Sequence, residues 1–337
     1  MLFALASVAC LLAAACSRPA AAPQVGGPLL PELVMRQDQV ELLQLRGAGG
    51  RTLVTLRRIG DEWRLAERDG WRGDGARIGQ YLAQLAQARR AEAKTDSPAM
   101  YPRIAVEDVS DPQAGGTELE VSGRGIHARL LLGKAHGPGG GRFVRLSGQA
   151  RAWLCDLDVG FDADPVAWLD HRLAAVPLAR VQQVRIRPYA GPAYALVNRD
   201  DRFGPDDAPA EAMRDSHAGD DIAGAIAAFD IEDVAADDGP PRLSQQLDYE
   251  LVGGEVLSVS VWRDGLRDWA RLSASFDQPR AAAWASRARR PALEAQARAQ
   301  VAEWSRRFAG RKFLLPPALA HTLTLDHSQI LEGAQSP

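Results

Sequence analysis

The sequence predicts an α+β fold built from two similar units, each an antiparallel β-meander covered by helices. Alternation of apolar and polar residues with a period of two predicts short strands, which glycine-rich turns separate. Apolar residues spaced three and four positions apart predict amphipathic helices between the groups of strands. The same order of elements occurs twice along the chain, which indicates an internal duplication.

The first unit is predicted from clear strand and helix patterns. It opens with three alternating segments, at residues 40–46, 51–58 and 63–67. A helical pattern begins at Asp74, and its apolar face comprises Ile78, Leu82, Leu85 and Ala86. Further strands are predicted at residues 117–121, 126–132, 142–146 and 152–157. Asp164 and Pro165 then have the residue types of an N-cap and a first helical position, which predicts another helix.

The second unit is predicted from its correspondence with the first. Residues 181–187 repeat the pattern of residues 40–46 at an offset of 141, and Phe203 stands where Trp63 stood at an offset of 140. A weaker correspondence relates the segment around Trp304 to the segment around Trp168. A shorter helix and three strands are predicted at residues 220–229, 243–250, 255–262 and 269–275.

The composition of residues 280–312, which is rich in alanine and arginine, predicts a long helix that is broken by Pro291. Its local excess of arginine is compatible with contact to anionic lipid. The polar face of an ordinary covering helix explains the same composition, and we favour that interpretation. Elsewhere lysine and arginine are spread along a chain of net charge −3, which argues against nucleic acid as a partner.

These patterns divide the 337-residue chain into five segments. They are a signal peptide (1–15), a lipidated cysteine with a flexible linker (16–35), a first α+β unit (36–178), a second α+β unit (179–320) and a C-terminal tail (321–337). The linker assignment follows from a composition rich in proline, alanine and glycine. The boundary between the units is placed near Pro177.

The N-terminus is predicted to direct export. Residues 2–15 are apolar and uncharged, as in a secretory signal, and are too few for the roughly 20 residues that span a bilayer. Three alanines precede Cys16, and this arrangement resembles a bacterial lipoprotein box, in which the cysteine is acylated after cleavage. Ala13 stands where that pattern usually has leucine. The alternatives are a plain signal peptide with an incidental cysteine, and acylation at Cys10, which fits the box less well.

Lipidation of Cys16 would leave Cys155 as the single thiol, so no internal disulfide is expected. Cys155 lies in an apolar, strand-like run and is predicted to be a buried small hydrophobe. Ser17 lacks the aspartate that retains lipoproteins at the inner membrane of enteric-type bacteria. We therefore expect a lipid-anchored protein that faces the periplasm, with the outer membrane favoured over the inner.

Known catalytic and metal-binding motifs are absent from the sequence. The six histidines form no HxH or HExxH arrangement, and the three cysteines form no CxxC, so no metal or cofactor is expected. His321 and His327 are assigned to a solvated tail in preference to a shared metal. Residues 136–141 resemble an esterase oxyanion loop but lie between two strands, which favours a hairpin link. Paired aspartates in the second half lack the spacing of a calcium loop and are interpreted as solvated charge.

The eight tryptophans are a further distinctive feature. Six of them occupy apolar positions on predicted elements and are expected in the core, namely Trp63, Trp153, Trp168, Trp262, Trp269 and Trp304. Trp71 lies between Gly70 and Arg72 in a predicted loop. It is therefore the candidate for an exposed contact with a partner.

The layout resembles the DUF4340 family of bacterial envelope proteins. The resemblance depends on the N-terminal anchor, the strand and turn before Trp63, the helix with Tyr81, Leu82 and Leu85, and the strands around residues 131–133, 142–145 and 153 that lead to Trp168. It covers residues 36–187 well, and the remainder through the repeat. The resemblance implies an accessory role in the envelope beside an ABC transporter, with no catalytic residues to transfer. Many members have a transmembrane helix where this chain has the lipoprotein box.

Together these features predict a membrane-tethered, non-enzymatic binding or accessory module of the cell envelope. Its expected partners are the membrane, through the lipid, and an envelope protein or ABC transporter component. The first alternative is an envelope hydrolase acting on glycan or ester substrates. The second alternative is a structural spacer without a specific ligand.

Overall fold

The computed structural model describes residues 24–199, 202–208, 217–239, 244–288 and 292–332. Within these residues the fold is α+β, with two large antiparallel sheets and seven α-helices. The predicted fold class is therefore confirmed. The predicted signal peptide, Cys10 and Cys16 lie outside the described residues.

The first sheet has nine strands. They are β1 (Val40–Arg46), β2 (Thr52–Ile59), β3 (Glu62–Leu65), β4 (Trp71–Arg72), β5 (Arg90–Ala93), β6 (Thr117–Gly123), β7 (Ile126–Ala135), β8 (Arg142–Leu146) and β9 (Ala152–Cys155). Their spatial order is β4-β3-β2-β1-β6-β7-β8-β9-β5. The loop at residues 136–141 joins β7 to β8, an antiparallel pair, so its assignment as a hairpin link is confirmed.

Two helices belong to this first unit, α1 (Gly75–Gln87) and α2 (Tyr101–Ile104). The Asp74 carboxylate accepts hydrogen bonds from the amides of Ala76 and Arg77, which satisfies two amides that would otherwise lack partners at the start of α1. The predicted apolar face of α1 is buried. Asp164 also caps as predicted, but the segment that follows is a short 3-10 helix, Pro165–Trp168.

The second part of the chain forms an eight-stranded sheet and a separate two-stranded sheet. The strands are β10 (Arg172–Ala174), β11 (Val181–Arg187), β12 (Tyr194–Arg199), β13 (Arg202–Pro205), β14 (Phe229–Asp230), β15 (Asp233–Ala236), β16 (Gln245–Leu251), β17 (Glu255–Asp264), β18 (Arg267–Phe276) and β19 (Arg311–Leu314). The order in the large sheet is β13-β12-β11-β16-β17-β18-β19-β15, and β10 pairs separately with β14.

Five helices accompany the second sheet. They are α3 (Ala218–Gly224), α4 (Gln278–Arg287), α5 (Ala292–Phe308), α6 (Pro317–Thr324) and α7 (His327–Glu332). The predicted helix at residues 280–312 is thus two helices, and its last residues form β19. The predicted solvated tail is wrong for residues 321–332, because Leu323 and Ile330 are buried in the core.

The two sheets share their strand register as well as their strand order. Leu43 on β1 faces Val121 on β6, and Val184 on β11 faces Tyr249 on β16. In both pairs the register shifts at the start of the first strand, after Val40 in β1 and after Val181 in β11. The predicted correspondence of Trp304 with Trp168 is wrong, because α5 precedes β19 whereas the Trp168 turn follows β9.

One continuous hydrophobic core joins the two sheets, and it extends from Leu29 to Ile330. The predicted boundary at residue 178 falls in a short 3-10 helix, Leu178–Arg180, between β10 and β11. Five of the six predicted core tryptophans are buried, and Trp262 is half-buried. Because both sheets contribute to one core, the two units stabilise each other.

Candidate functional site

The two site residues predicted from the sequence have different outcomes. Cys16 lies outside the described residues, so the structure does not bear on its acylation. Trp71 lies in strand β4 and only 2% of its surface is exposed, so the prediction of an exposed loop contact is wrong. Its indole Nε1 donates a hydrogen bond to the carbonyl of Asp170, which fixes the ring inside the protein.

Trp71 forms the floor of a pocket between the two units. The cavity has a volume of about 410 Å³, within the range of roughly 300–1,000 Å³ typical of small-molecule sites. The first unit contributes side chains from β3 and β4, and the second contributes side chains from α5 and β19. The lining residues are Glu62, Arg64, Trp71, Arg72, Glu303, Arg306, Arg307 and Arg311. We call this site the arginine pocket.

Helix α5 places three charged residues in the arginine pocket. Glu303, Arg306 and Arg307 are spaced three and four positions apart, so they share one face of the last turns of the helix. Helices α4 and α5 occupy the connection between β18 and β19. The corresponding connection in the first sheet, between β8 and β9, has only residues 147–151. The pocket therefore depends on an element that the first unit lacks.

Two guanidinium groups cover the Trp71 ring. The Cζ atoms of Arg307 and Arg311 lie 5.4 and 5.6 Å from the ring centroid, within the range of a cation–π interaction. Phe313 on β19 packs against the same ring edge to face, with the centroids 5.4 Å apart. These contacts hold the pocket arginines in place on a rigid apolar support.

Backbone carbonyls, not carboxylates, accept most hydrogen bonds from these arginines. Arg311 Nη2 donates to the Asp69 carbonyl at 3.0 Å, and its Nη1 donates to the carbonyls of Arg307, in the last turn of α5, and Ala309, just after the helix. Arg307 Nη2 donates to the Arg172 carbonyl. Carbonyl acceptors satisfy N–H groups but carry no net charge. The positive charge of Arg307 and Arg311 therefore remains uncompensated by an ion pair among the described residues.

Only two of the five pocket arginines form ion pairs in the described part of the chain. Arg72 pairs with Asp170 at 2.6 Å, and Arg64 pairs with Glu62. Burial and the neighbouring Arg72 guanidinium lower the pKa of Arg307 to about 10, although nearby carboxylates oppose the shift. The charged form of Arg307 is therefore disfavoured by burial and by Arg72, and a nearby anion would favour it.

Other groups that the sequence singled out are engaged in structural pairs. Asp207 accepts a hydrogen bond from His327 at 2.8 Å, Asp220 pairs with Arg202 at 2.7 Å, and Asp238 pairs with Lys312 at 2.8 Å. The doublet at residues 200–201 lies outside the described residues. Within the described ranges, no group of three His, Cys, Asp or Glu side chains is arranged to hold a metal ion.

Cys155 is buried, as predicted. Its thiol lies 2.8 Å from the Leu157 carbonyl, to which it donates a hydrogen bond. Burial raises the pKa of the Cys155 thiol, and backbone hydrogen bonds only partly oppose this effect. A thiol in this environment is poorly suited to nucleophilic chemistry, because the thiolate is the reactive form.

Sequence reasoning missed the arginine pocket for a clear reason. The composition of residues 280–312, which include Arg306 and Arg307, predicts an ordinary covering helix with a polar, solvent-facing side. Trp71 was recognised as unusual but expected on a loop. Each segment therefore has a distinctive residue pattern of its own, but only the tertiary structure brings residues 62–72 and 303–311 together.

The fold and pocket define a two-sheet α+β protein with an arginine-lined cavity between its units. The chain matches the profile of the family described as "Domain of unknown function (DUF4340)" over residues 63–246, and it belongs to that family. No curated protein and no solved structure matches the chain. Among the described helices, none is both long and apolar enough to cross a membrane.

The family match includes three of the eight residues that line the arginine pocket. It begins at Trp63 on β3 and so contains Trp71 and Arg72, but it ends at Gln246 on β16. The pocket residues on α5 and β19 lie beyond the matched range. The side of the pocket that carries the arginines without ion pairs is therefore outside the matched segment.

Proposed function

We propose that this protein is a non-enzymatic binding module of the bacterial cell envelope, tethered to a membrane through Cys16, which recognises an anionic group in its arginine pocket. The observation that carries the proposal is the pocket's uncompensated charge. Five arginines against two glutamates give its lining a formal charge of +3. Charge of one sign concentrated in a cleft attracts a ligand of the opposite sign.

The rigidity of the site supports a role in binding. Trp71 and Phe313 provide a packed floor, and backbone carbonyls fix the guanidinium groups of Arg307 and Arg311. Preorganised side chains lose little conformational entropy when a ligand binds, which increases affinity. An anion-binding pocket on a tethered body fits an accessory protein that engages another envelope component.

An ABC transporter component is the partner class that the family resemblance suggests. Photocrosslinking in intact cells tests this part of the proposal. A photoreactive residue at position 306 lies at the pocket, whereas one at position 298 lies on the same helix but outside the pocket lining. We expect a specific adduct from position 306 that position 298 does not give. Identical adducts from both positions, or recovery of uncrosslinked monomer alone, would count against the pocket as the contact site.

The anchor is a separate part of the proposal, supported by the apolar run that ends at Cys16. The Cys16→Ala variant should release the protein from membranes and abolish labelling by fatty acids. Cys10→Ala is the matched control and should change neither property. Persistent labelling of the Cys16→Ala variant would exclude Cys16 as the acylation site. Fractionation of labelled membranes should place the protein at the outer membrane, as Ser17 suggests.

We also propose that the two units arose by duplication of one ancestral unit. Three features support this proposal. The strands shared by the two sheets follow the same spatial order, β1 pairs with β6 as β11 pairs with β16, and the register shifts at the same position in both pairs. Sequence profiles built separately from residues 40–155 and 181–314 of family members should align with each other strand for strand. Profiles that align no better than those of unrelated α+β domains would contradict a common origin.

A further inference from the structure

We propose that the ligand of the arginine pocket is a phosphate monoester carried on a hydroxyl-rich group, such as a sugar or glycerol. This inference deepens the proposed function and rests on it, since it names the chemical class of the anion. It follows from four features of the pocket, namely its charge, its available donors, its volume and its two carboxylates.

The charge of the pocket suits a dianion. The lining carries +3, and Asp170 behind Arg72 reduces the local total to +2. A phosphate monoester carries about −1.5 to −2 at pH 7, whereas a sulfate ester or a single carboxylate carries about −1. In the last turn of α5, the Arg307 carbonyl, which would repel an anion, accepts a hydrogen bond from Arg311 instead. A phosphate monoester therefore matches the local charge most closely.

The donors available for a ligand are guanidinium N–H groups. Among the described residues, the Arg306 side chain makes no hydrogen bond or ion pair, and the Nη1 atoms of Arg72 and Arg307 also have no partner. Arginine presents its N–H groups in a planar fork that matches two oxygens of a phosphate. Because these donors come from both β4 and α5, they can approach one phosphate from two sides.

The volume and the glutamates indicate what the phosphate is attached to. A cavity of about 410 Å³ exceeds the needs of a single tetrahedral oxyanion, so it has room for an attached group. Glu62 and Glu303 line the same cavity and offer carboxylate oxygens as acceptors. Each carboxylate uses one oxygen in the described structure, Glu62 for Arg64 and Glu303 for Gln300. The other oxygen of each can accept a hydrogen bond from a ligand hydroxyl group, which an apolar group could not donate. A hydroxyl-rich carrier therefore complements the remainder of the pocket.

Titration calorimetry on the full-length protein in neutral detergent tests this inference. The probes are glucose 6-phosphate, glucose 6-sulfate and glucuronate, which share a sugar and differ in their anionic group. At pH 7.5 we expect the phosphate ester to bind at least about tenfold more tightly than the other two. Its advantage should shrink at pH 5.5, because protonation near pH 6 removes part of its second charge. The pocket lining contains no histidine that titrates in this interval.

Two arginine variants on one helix locate the binding site. Arg306→Gln removes an exposed side chain that makes no hydrogen bond or ion pair in the described structure, so it should fold normally and weaken phosphate-ester binding about tenfold. Arg298→Gln is the matched control, since Arg298 is exposed on α5 and lies outside the pocket. Equal affinity for all three probes, or an affinity for glucose 6-phosphate that Arg306→Gln leaves unchanged, would overturn the inference.

The experiment also separates this inference from the proposed function. Binding of glucuronate in preference to the phosphate ester, with dependence on Arg306, would reject the phosphate class but retain an anion-binding pocket. No binding of any probe would overturn the phosphate inference, while crosslinks from position 306 would still support a binding role. Comparison of glycerol 3-phosphate with vesicles containing phosphatidic acid then distinguishes a soluble ester from a lipid headgroup. Tighter binding to the vesicles, lost in Arg306→Gln, would identify the lipid as the source.

Discussion

Arg68 in the first unit and Asp233 on β15 in the second unit form a two-point ion pair. Arg68 Nε and Nη2 donate to the two carboxylate oxygens of Asp233 at 2.5 and 3.1 Å. Both side chains are about three-quarters buried, at 23% and 25% exposure. The hydrogen bond with Asp233 raises the pKa of Arg68, although burial opposes this effect. The pair therefore links the two units beside the shared core.

A double-mutant cycle with Arg68→Met and Asp233→Asn should give a coupling free energy of about 1 kcal/mol, because the pair is bidentate and partly screened from water. Urea denaturation monitored by circular dichroism measures it. The pair of Arg263 and Asp268 is also bidentate, but its arginine is 72% exposed, so it is the matched control. Its coupling should stay below about 0.5 kcal/mol. Equal coupling free energies in the two cycles would show that the Arg68–Asp233 pair gains no stability from its location between the two units.

Two glycine-to-alanine substitutions should have opposite effects on stability. A Cβ at Gly141 would lie 1.6 Å from the Cys155 carbonyl oxygen, a backbone atom that cannot move aside. We expect Gly141→Ala to lower the free energy of unfolding by about 3 kcal/mol or more. Gly79 lies on α1 with open space around it, so Gly79→Ala should raise stability by about 0.5–1 kcal/mol. Urea midpoints of the two variants provide the comparison, and a Gly141→Ala protein as stable as the wild type would contradict the packing.

Cys155 should react slowly with thiol reagents in the native protein. The side chain is fully buried and burial raises the pKa of its thiol, so little thiolate is accessible at pH 8. We expect labelling by a maleimide at least about 100-fold slower in buffer than in denaturant, because reaction requires local opening. Cys155→Ser serves as the blank for any other reactive thiol. Rapid native labelling that disappears in this variant would refute the buried assignment.

Asp237 should contribute to stability in a pH-dependent manner. Burial raises the pKa of its carboxyl group, but hydrogen bonds from Arg271 and the Gly239 amide outweigh burial and leave the pKa below its ordinary value. The ionised form therefore stabilises the fold above about pH 4, and this contribution is lost as the pH falls through the lowered pKa.

Asp237→Asn should lower stability by about 1 kcal/mol at pH 7, and its difference from the wild type should shrink below about pH 4. Urea midpoints measured between pH 3 and pH 7 check this expectation. Asp61→Asn alters an exposed turn residue and should leave the midpoint nearly unchanged throughout. A difference between wild type and Asp237→Asn that is constant with pH would show that the carboxylate is not the stabilising form.

Local patterns predicted most of the strands and helix α1 because their signals are contained in short segments. Strands β1, β8 and β11 begin and end where alternation begins and ends, and Asp74 caps α1 as its residue type indicates. The wrong predictions concern segments whose local pattern does not determine the element that they form. The alanine- and arginine-rich segment at residues 280–312 gave a helical signal that was correct for two helices but concealed β19. Residues 165–168 have a helix-start pattern, yet they form a single 3-10 helix of four residues.

The sequence by itself determined most of the strands, the position and apolar face of α1, and the chemical character of the N-terminus up to Cys16. These depend on spacing and composition along neighbouring residues. Only the tertiary structure decided that Trp71 is buried at the base of the arginine pocket and is not an exposed contact. It also decided that Arg306, Arg307 and Arg311 face β3 and β4. The reason is physical: the shared core brings together segments about 240 residues apart, and no local pattern encodes a contact over that separation.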